Sequence, residues 1–286
     1  KRFQTFQLPE RLMLTCIRMR PLYLLTLLFA CSAITAQAAP PAMNPPAESS
    51  IPPGPVGDAI RLGKTLITDT RRQLPKNVGN GLNCSNCHLG GGTVAFAGPY
   101  VGLWGVFPEY RQRSNSINSL QERINDCFER SMNGHPLAYD SKEMNAMLMY
   151  MQWLSTGVPT GTPVQGRGMG SIDQSLVADA DNGRKLYAEK CAACHGAEGQ
   201  GLKAADGSYT FPPVWGNDSF NIGAGMARTY TAAAFIQHNM PLGQGNSLSA
   251  QQALDIAAFF THQPRPPFAA AKNDYAGGKK PKDARN

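Results

Sequence analysis

Two Cys-x-x-Cys-His motifs contain the residues of this chain with the clearest chemical potential. They are Cys84-Ser-Asn-Cys87-His88 and Cys191-Ala-Ala-Cys194-His195. In c-type cytochromes the two thiols of such a motif bind the vinyl groups of one haem, and the His is the proximal ligand of the iron. A zinc ribbon or a redox-active dithiol pair is the alternative, but a single four-thiolate zinc site would leave both His residues unused. The sequence therefore predicts two covalently bound haem c groups.

Each iron needs a sixth ligand if the haem is to carry electrons. In the second half of the chain, Met240 precedes a Pro in a loop ahead of the last predicted helix, which is the usual arrangement in small cytochromes c. Thioether ligation favours Fe(II) and raises the potential. His238 and Met226 are the alternatives, and we expect Met240 to be the ligand.

Cys127 is the cysteine that remains when both motifs and residues 1–38 are set aside. Because haem c is attached outside the cytoplasm in bacteria, an unpaired cysteine in such a chain calls for a role. The simplest role is that of a small buried hydrophobic residue. The alternative is a thiolate that serves as the distal ligand of the first haem, a position for which Met132 and His135 compete. Spacing alone does not decide among them.

Four arginines lie close to Cys127 in the sequence: Arg111, Arg113, Arg123 and Arg130. If residues 120–130 are helical, Arg123 and Cys127 share one face at positions i and i+4, and Ser131 extends the same row. A guanidinium beside a cysteine favours thiolate, and its planar fork is well matched to oxyanions. Ordinary solvated arginines are the alternative interpretation.

The net charge of +7 comes from the two ends of the sequence. Residues 1–38 carry five basic residues and one Glu, and residues 272–286 carry five basic and two acidic residues. The body between them is therefore close to neutral, so the basic balance gives no reason to expect nucleic acid as a partner. We interpret the basic tail as a solvated end.

Residues 1–38 have the features of a leader that starts at Met19. An apolar run over residues 22–34 is followed by Ala36-Gln37-Ala38, which is typical of a signal-peptidase site. The run is short for a membrane span, so we expect none in the mature protein. Lipid attachment at Cys31 is the weaker alternative. The sequence thus predicts export and a periplasmic location.

The same plan occurs twice along the chain, and the predicted fold is all-α, with two class I cytochrome c domains in tandem that each enclose one haem c. The predicted helices cover residues 58–67, 120–130, 141–155, 179–191 and 249–262. The predicted regions are a flexible entry (39–56), an N-terminal domain (57–157), a linker (158–177), a C-terminal domain (178–267) and a flexible basic tail (268–286).

Beyond the haem motifs, the sequence resembles the diheme thiosulfate dehydrogenases over almost the whole mature chain. The segments that carry the resemblance are Leu74-Pro75 through Leu82, Gln121-Glu-Arg-Ile-Asn-Asp-Cys127-Phe-Glu-Arg-Ser131-Met-Asn-Gly134, Tyr150 through Pro159, Phe211-Pro-Pro-Val-Trp-Gly216, Phe220 through Met226 and Met240-Pro-Leu-Gly243. These stretches are long and specific, whereas every cytochrome c shares the haem motifs.

The resemblance implies roles for particular residues. Cys127 is expected to be the axial ligand of the catalytic haem, and Arg113, Arg123 and Ser131 are expected to line the substrate pocket. Some members have Lys immediately before the Met, able to alternate with it as ligand, whereas this chain has Asn239. A carboxamide is a poor haem ligand, so ligand exchange at the second haem is not expected here.

The resemblance also implies an activity, the oxidative coupling of two thiosulfates to tetrathionate, with tetrathionate reduction as the reverse reaction. The electrons are expected to pass through both haems to an exported acceptor such as a small cytochrome c or a high-potential iron–sulfur protein. In the expected mechanism, the Cys127 sulfur leaves the iron, takes up one thiosulfate covalently and is released by the second. The alternatives are a non-catalytic diheme electron carrier and a SoxAX-type Cys-ligated sulfur-oxidising cytochrome.

Overall fold

Each half of the chain begins and ends with a long helix, and these two helices pack against each other. The computed structural model describes residues 39–285. Its helices in chain order are α1 (Pro55–Thr68), α2 (Thr70–Gln73), α3 (Leu89–Gly92), α4 (Leu120–Arg130), α5 (Lys142–Leu154), α6 (Ala180–Lys190), α7 (Ala192–His195), α8 (Thr229–Asn239) and α9 (Ala250–Thr261). Helix α1 packs on α5, and α9 packs on both α6 and α8.

A glycine brings the paired helices into backbone contact in both halves. A Cβ atom at Gly63 of α1 would lie 2.0 Å from the carbonyl oxygen of Ala146 in α5. A Cβ atom at Gly183 of α6 would lie 1.9 Å from the carbonyl oxygen of Asp255 in α9. Because neither position has room for a side chain, the two halves use the same close helix crossing.

Polar residues cap four of the five helices that the sequence predicts. Ser119 accepts a hydrogen bond from the backbone N–H of Glu122, whose side chain accepts from the N–H of Ser119, and this reciprocal pair starts α4. Ser141, Asp179 and Ser249 likewise accept from backbone N–H groups at the starts of α5, α6 and α9. These caps place four helix starts at or within one residue of the predicted positions.

Several elements are additional to the predicted helices, among them the one-turn helices α2, α3 and α7. Helix α8 is an additional helix, in which Ala232, Ala233, Ala234 and Phe235 are among the buried residues. Two short antiparallel hairpins also form, β1 (Glu109–Arg111) with β2 (Ser116–Asn118) and β3 (Leu202–Lys203) with β4 (Tyr209–Phe211). The architecture is therefore mostly helical, with very little sheet.

The segments predicted as a linker and a flexible tail lie against the N-terminal half. In the linker, the carbonyl oxygens of Gly166 and Gly168 accept hydrogen bonds from the N–H groups of Phe96 and Gly98, at 2.7 and 2.8 Å. In the tail, the N–H of Tyr275 donates to the carbonyl oxygen of Arg113 at 2.7 Å. The interpretation of the tail as a free solvated end therefore does not match its contacts, which the local sequence pattern does not reveal.

The other predicted boundaries, residues 57–157 for the first domain and 178–267 for the second, remain predictions. The proposed leader, residues 1–38 with its start at Met19, lies outside the described residues, as does the alternative lipid site at Cys31. Within residues 39–285, no helix is both long and apolar enough to cross a membrane.

Candidate active site

A cavity of about 1480 Å³ lies beside the first Cys-x-x-Cys-His motif. Its walls come from the motif loop, from α4, from the β1–β2 hairpin and from parts of the linker and tail. Residues of α8 and of the segment before it, among them Arg228 and Tyr230, complete the wall. Segments far apart in the sequence therefore build one site.

His88 is oriented as a metal ligand on this cavity. Its Nδ1 atom lies 2.6 Å from the carbonyl oxygen of Gly98, which can only accept, so Nδ1 carries the proton and Nε2 keeps a free lone pair. The ring stacks on Tyr100 with centroids 4.6 Å apart. Burial lowers the pKa of His88 to about 4, so the imidazole is neutral at neutral pH, as iron ligation requires.

Cys84 and Cys87 are free thiols on the same cavity. Burial raises the pKa of each to about 12. The Cys84 N–H donates to the hydroxyl of Thr70 at 3.0 Å, which fixes the start of the motif loop. Two unpaired thiols and a neutral imidazole around one cavity fit a covalently attached haem, in which the thiols form thioethers and the imidazole binds iron.

Cys127 lines the cavity that His88 also lines, and Arg123 contacts its sulfur. Helix α4 places the two residues one turn apart, and the Arg123 Nη1 atom lies 3.0 Å from the Cys127 Sγ atom. The closeness of Cys127 raises the pKa of the Arg123 guanidinium, which stays charged. Ser131 caps α4 through its N–H, which donates to the Cys127 carbonyl at 2.8 Å, and it also lines the cavity.

Two acidic residues connect the arginines around this cavity. Asp274 of the tail forms a bidentate pair with Arg130, with both N–O distances at 2.7 Å, and lies 3.9 Å from Arg113. Asp126 pairs with Arg130 and lies 3.5 Å from Arg123 and 3.9 Å from Arg113. The three guanidinium groups are therefore held by two carboxylates rather than solvated individually.

Sequence reasoning did not identify Asp126 or Asp274 as site residues. Asp126 could have been found, since it lies three residues after Arg123 and four before Arg130 on one helix. No local pattern points to Asp274, which comes from the tail. The backbone carbonyl of Gly223, which accepts from Arg113 at 3.0 Å, was equally unpredictable.

The rivals for the first distal position differ in placement. Met132 is buried and also lines the cavity, whereas His135 is exposed and is not part of its lining. The Arg123 contact distinguishes Cys127 from Met132, since a thioether gains little from a neighbouring cation. Cys127 as the distal ligand remains a prediction that this geometry favours.

The second motif repeats the His88 arrangement. The Nδ1 atom of His195 lies 2.9 Å from the carbonyl oxygen of Pro212, and burial lowers the pKa of the ring. Burial also raises the pKa of Cys191 to about 11. A neutral, oriented imidazole beside free thiols again fits haem c.

Met240 directly follows α8 and packs, half-buried, against the core. Its two rivals are engaged elsewhere. His238 stacks on Phe96 with centroids 4.1 Å apart and bonds Asn246, while Met226 lines the first cavity. The neighbouring Asn239 amide donates to the carbonyl oxygens of Phe96 and Phe235, both at 3.1 Å. Met240 therefore remains the predicted distal ligand.

The thiols of the two motifs do not form one site. Across residues 39–285, no group of three or more His, Cys, Asp and Glu side chains is close enough to hold a metal ion. The four-thiolate zinc site that the motifs could otherwise suggest is therefore not formed in this part of the chain.

Family models match both halves. Residues 75–160 match the model described as SoxA/TsdA, cytochrome c domain, and residues 178–260 match the one described as cytochrome C oxidase, cbb3-type, subunit III. Together with the two haem-binding motifs, these matches establish two cytochrome c domains and two covalently bound haems c.

Whole-chain relatives share one name. A thiosulfate dehydrogenase of Psychrobacter arcticus is 51% identical over 86% of this chain and 75% of the relative. Another, of Allochromatium vinosum, is 46% identical over 86% of this chain and 94% of the relative. The solved structure of thiosulfate dehydrogenase (TsdBA) from Marichromatium purpuratum, in its as-isolated form, has a TM-score of 0.75 at 41% identity. That match covers 79% of this chain, which spans about half of the solved chain.

Proposed function

This chain belongs to the thiosulfate dehydrogenase family of cytochromes c, and from that membership we propose that it couples two thiosulfate ions to tetrathionate. The observation that carries the proposal is the contact of Arg123 with the Cys127 sulfur, on a cavity shared with His88. A pure electron carrier has no use for a cysteine and a cluster of arginines at this position.

The overall reaction joins the outer sulfur atoms of two thiosulfates and releases two electrons, 2 S2O3²⁻ → S4O6²⁻ + 2 e⁻. When bound, the two haems supply the one-electron acceptors that this balance requires. Because two dianions must approach each other, their repulsion is a large part of the barrier. Arg113 and Arg123, already on the cavity wall, would place fixed positive charge at the sulfonate groups.

Cys127 divides the coupling into two steps. In the first, its thiolate forms a sulfur–sulfur bond with the outer sulfur of one thiosulfate, and two electrons leave. In the second, the outer sulfur of another thiosulfate attacks that same sulfur, tetrathionate departs, and Cys127 regains its thiolate. Covalent capture replaces one difficult encounter with two easier ones. Ser131, one turn from Cys127, is the proposed hydroxyl donor to the bound sulfonate.

The electrons leave to an acceptor outside this protein. Met240 supports this direction of flow, since thioether ligation at the second iron favours its reduced state. A small exported cytochrome c or a high-potential iron–sulfur protein fits as the acceptor, and a periplasmic location fits haem c attachment outside the cytoplasm. The reverse reaction, tetrathionate reduction, uses the same residues.

The test is turnover of the purified diheme protein with thiosulfate and ferricyanide, with no other protein added. We expect Cys127→Gly to retain both haems and to lose at least about a thousandfold in kcat. Met132→Leu, which changes the buried rival on the same cavity, is the matched control and should stay near wild type. Visible spectra should show a thiolate-ligated low-spin haem beside a His/Met haem, and only the first signature should change in Cys127→Gly.

Two results would reject the proposal. Wild-type turnover in Cys127→Gly would remove the covalent role of this cysteine. No turnover of thiosulfate by the wild-type protein in the absence of a sulfur-carrier protein would instead favour a SoxAX-type function or a simple electron carrier.

A further inference from the structure

The cations on the first cavity differ in their partners. The cationic side chains that line it are Arg111, Arg113, Arg123, Arg130, Arg167, Arg228 and Lys282. Glu109 pairs with two of them, and Asp126 and Asp274 hold three more. Within residues 39–285, neither Arg228 nor Lys282 has a carboxylate in ion-pair range. Lys282 is exposed, its Nζ atom donates to the carbonyl oxygen of Gln174 at 2.8 Å, and it lies over the ring of Tyr230, so it has partners of its own.

Arg228 has no such compensation. Its residue is half-buried, and its Nε atom is shielded from solvent without a hydrogen-bond partner. None of the other guanidinium nitrogens of Arg228 has a partner among the described residues either. Burying part of a guanidinium without an acceptor is costly, so the site calls for an anion that protein atoms do not provide.

Arg265, also in the C-terminal half, has the partners that Arg228 lacks. Its Nε atom is also buried without a partner. Its other nitrogens, however, donate to the carbonyl oxygens of Phe220, Val214 and Phe260, and its guanidinium lies 4.3 Å from the ring centre of Phe220. Arg265 is therefore explained by the fold, whereas Arg228 is not.

The group that the first motif holds would bring carboxylates into this cavity. Haem c carries two propionates, and each is an anion that needs a cation or water when it is enclosed. We propose that Arg228 binds a propionate of the first haem, so that a residue from the start of α8 in the C-terminal half anchors the cofactor of the N-terminal half. The pairing supplies the acceptor that the Arg228 guanidinium lacks, and a planar guanidinium can bind a carboxylate with two parallel hydrogen bonds.

This inference depends on the haem that Cys84, Cys87 and His88 hold, and it is independent of the reaction at Cys127. A thiosulfate dianion is the competing ligand for Arg228, because the same guanidinium matches a sulfonate. The two ligands predict different outcomes. A propionate contact affects the haem in the absence of substrate, whereas a substrate contact affects the KM for thiosulfate.

The experiment compares Arg228→Leu and Arg228→Lys with wild type as diheme proteins. Loss of the cation leaves the propionate charge uncompensated, which favours Fe(III), so the midpoint potential of the first haem should fall in Arg228→Leu. The expected size is roughly tenfold in the reduction equilibrium, or about 59 mV for one electron. The propionate bending bands in the resonance Raman spectrum should shift as well. Arg228→Lys should recover most of the potential and only part of the Raman shift, because a Lys keeps the charge and loses the fork.

Arg184→Leu is the matched control, since it removes the same charge from an exposed position on α6, where the Arg184 side chain is 71% exposed. It should change neither quantity. Wild-type potentials and Raman bands in Arg228→Leu would overturn the proposal, as would an increase in KM with an unchanged potential. If Arg228→Leu fails to retain the first haem, Arg228→Lys decides the matter, because an unshifted Raman spectrum in that variant also overturns it.

Discussion

Helices α4 and α8 occupy the same place in the two halves, each between a haem motif and the closing helix, yet they differ in nearly every residue type. Helix α4 carries charged residues along much of its length, whereas α8 carries no Asp, Glu, Lys or Arg and buries a run of alanines. The first helix presents Arg123 and Cys127 to a cavity. The second positions Met240 immediately after its last turn. Helices at equivalent positions therefore have different roles: α4 carries the proposed catalytic residues, whereas α8 mainly packs in the core.

The supporting structure around these helices is shared. Each half has a glycine at its helix crossing, and each orients its motif His through a backbone carbonyl, Gly98 for His88 and Pro212 for His195. The shared features position the residues that bind haem, whereas the differing features include the proposed catalytic residues Arg123 and Cys127. The contrast therefore separates what each half needs to bind haem from what the reaction needs.

After Cys127→Gly, the largest expected effect also lies in α4, at Arg123. Arg123→Leu removes the contact with the Cys127 sulfur and one fixed charge near the sulfonates. We expect kcat/KM for thiosulfate to fall by about 10²–10³-fold in the ferricyanide assay. Arg123→Lys, which keeps the charge but not the fork, should lose less. Activity near wild type in Arg123→Leu would show that this residue of α4 does not contribute to catalysis.

The shared helix crossing gives the next largest effect. Gly63→Ala and Gly183→Ala each force a methyl group against a backbone carbonyl, and we expect each to lower the free energy of unfolding by about 3 kcal/mol. Thermal unfolding of the diheme proteins measures this loss. Gly225→Ala is the control, since no heavy atom lies within 4 Å of its added Cβ. Unequal losses in the free energy of unfolding would mean that the close helix crossing contributes differently to the stability of the two halves.

The tail offers a test of how the first cavity is held together. Asp274→Asn weakens the bidentate pair with Arg130 and the charge that faces Arg113. We expect a stability loss of about 2 kcal/mol and an increase in the KM for thiosulfate, with a smaller change in kcat. Asp140→Asn, at an exposed position before α5, should change neither quantity. An unchanged KM in Asp274→Asn would mean that the tail packs on the site without shaping it.

The smallest effect concerns the helix caps. Ser119→Ala at the start of α4 and Ser249→Ala at the start of α9 each remove one reciprocal cap. Each should cost about 1 kcal/mol in the free energy of unfolding. Only Ser119→Ala should also lower kcat/KM, because α4 lines the cavity and α9 does not. Equal effects of the two substitutions on activity would weaken the contrast between the halves.

A structural feature can be predicted from the sequence when the residues that determine it are close together in the chain. Helix α4 is predictable because it is marked locally: Ser119 and Glu122 stand at the spacing of a reciprocal cap. The contact of Arg123 with Cys127 follows from their positions i and i+4 on that helix. Helix α8 was not predicted, because most of its residues are buried and it has no charged face to mark its period.

Contacts across long stretches of sequence were beyond prediction. Asp274 meets Arg130 only because the tail folds back over the first half, and nothing in the residues around Asp274 encodes that path. The placement of Arg228 on the first cavity depends in the same way on how the halves pack. Local propensities determine helices, whereas the assembly of a site from many separate segments is a property of the whole fold.

The position of residues 273–283 against the first cavity has a consequence for how this protein is made and handled. Synthesis proceeds from the N-terminus, and these residues follow every other segment that lines the first cavity, so the cavity wall cannot be complete until they have been made. An affinity tag fused directly after this segment would lie beside the first cavity. Purification handles are therefore better placed ahead of Pro55, far along the chain from the residues that close the site.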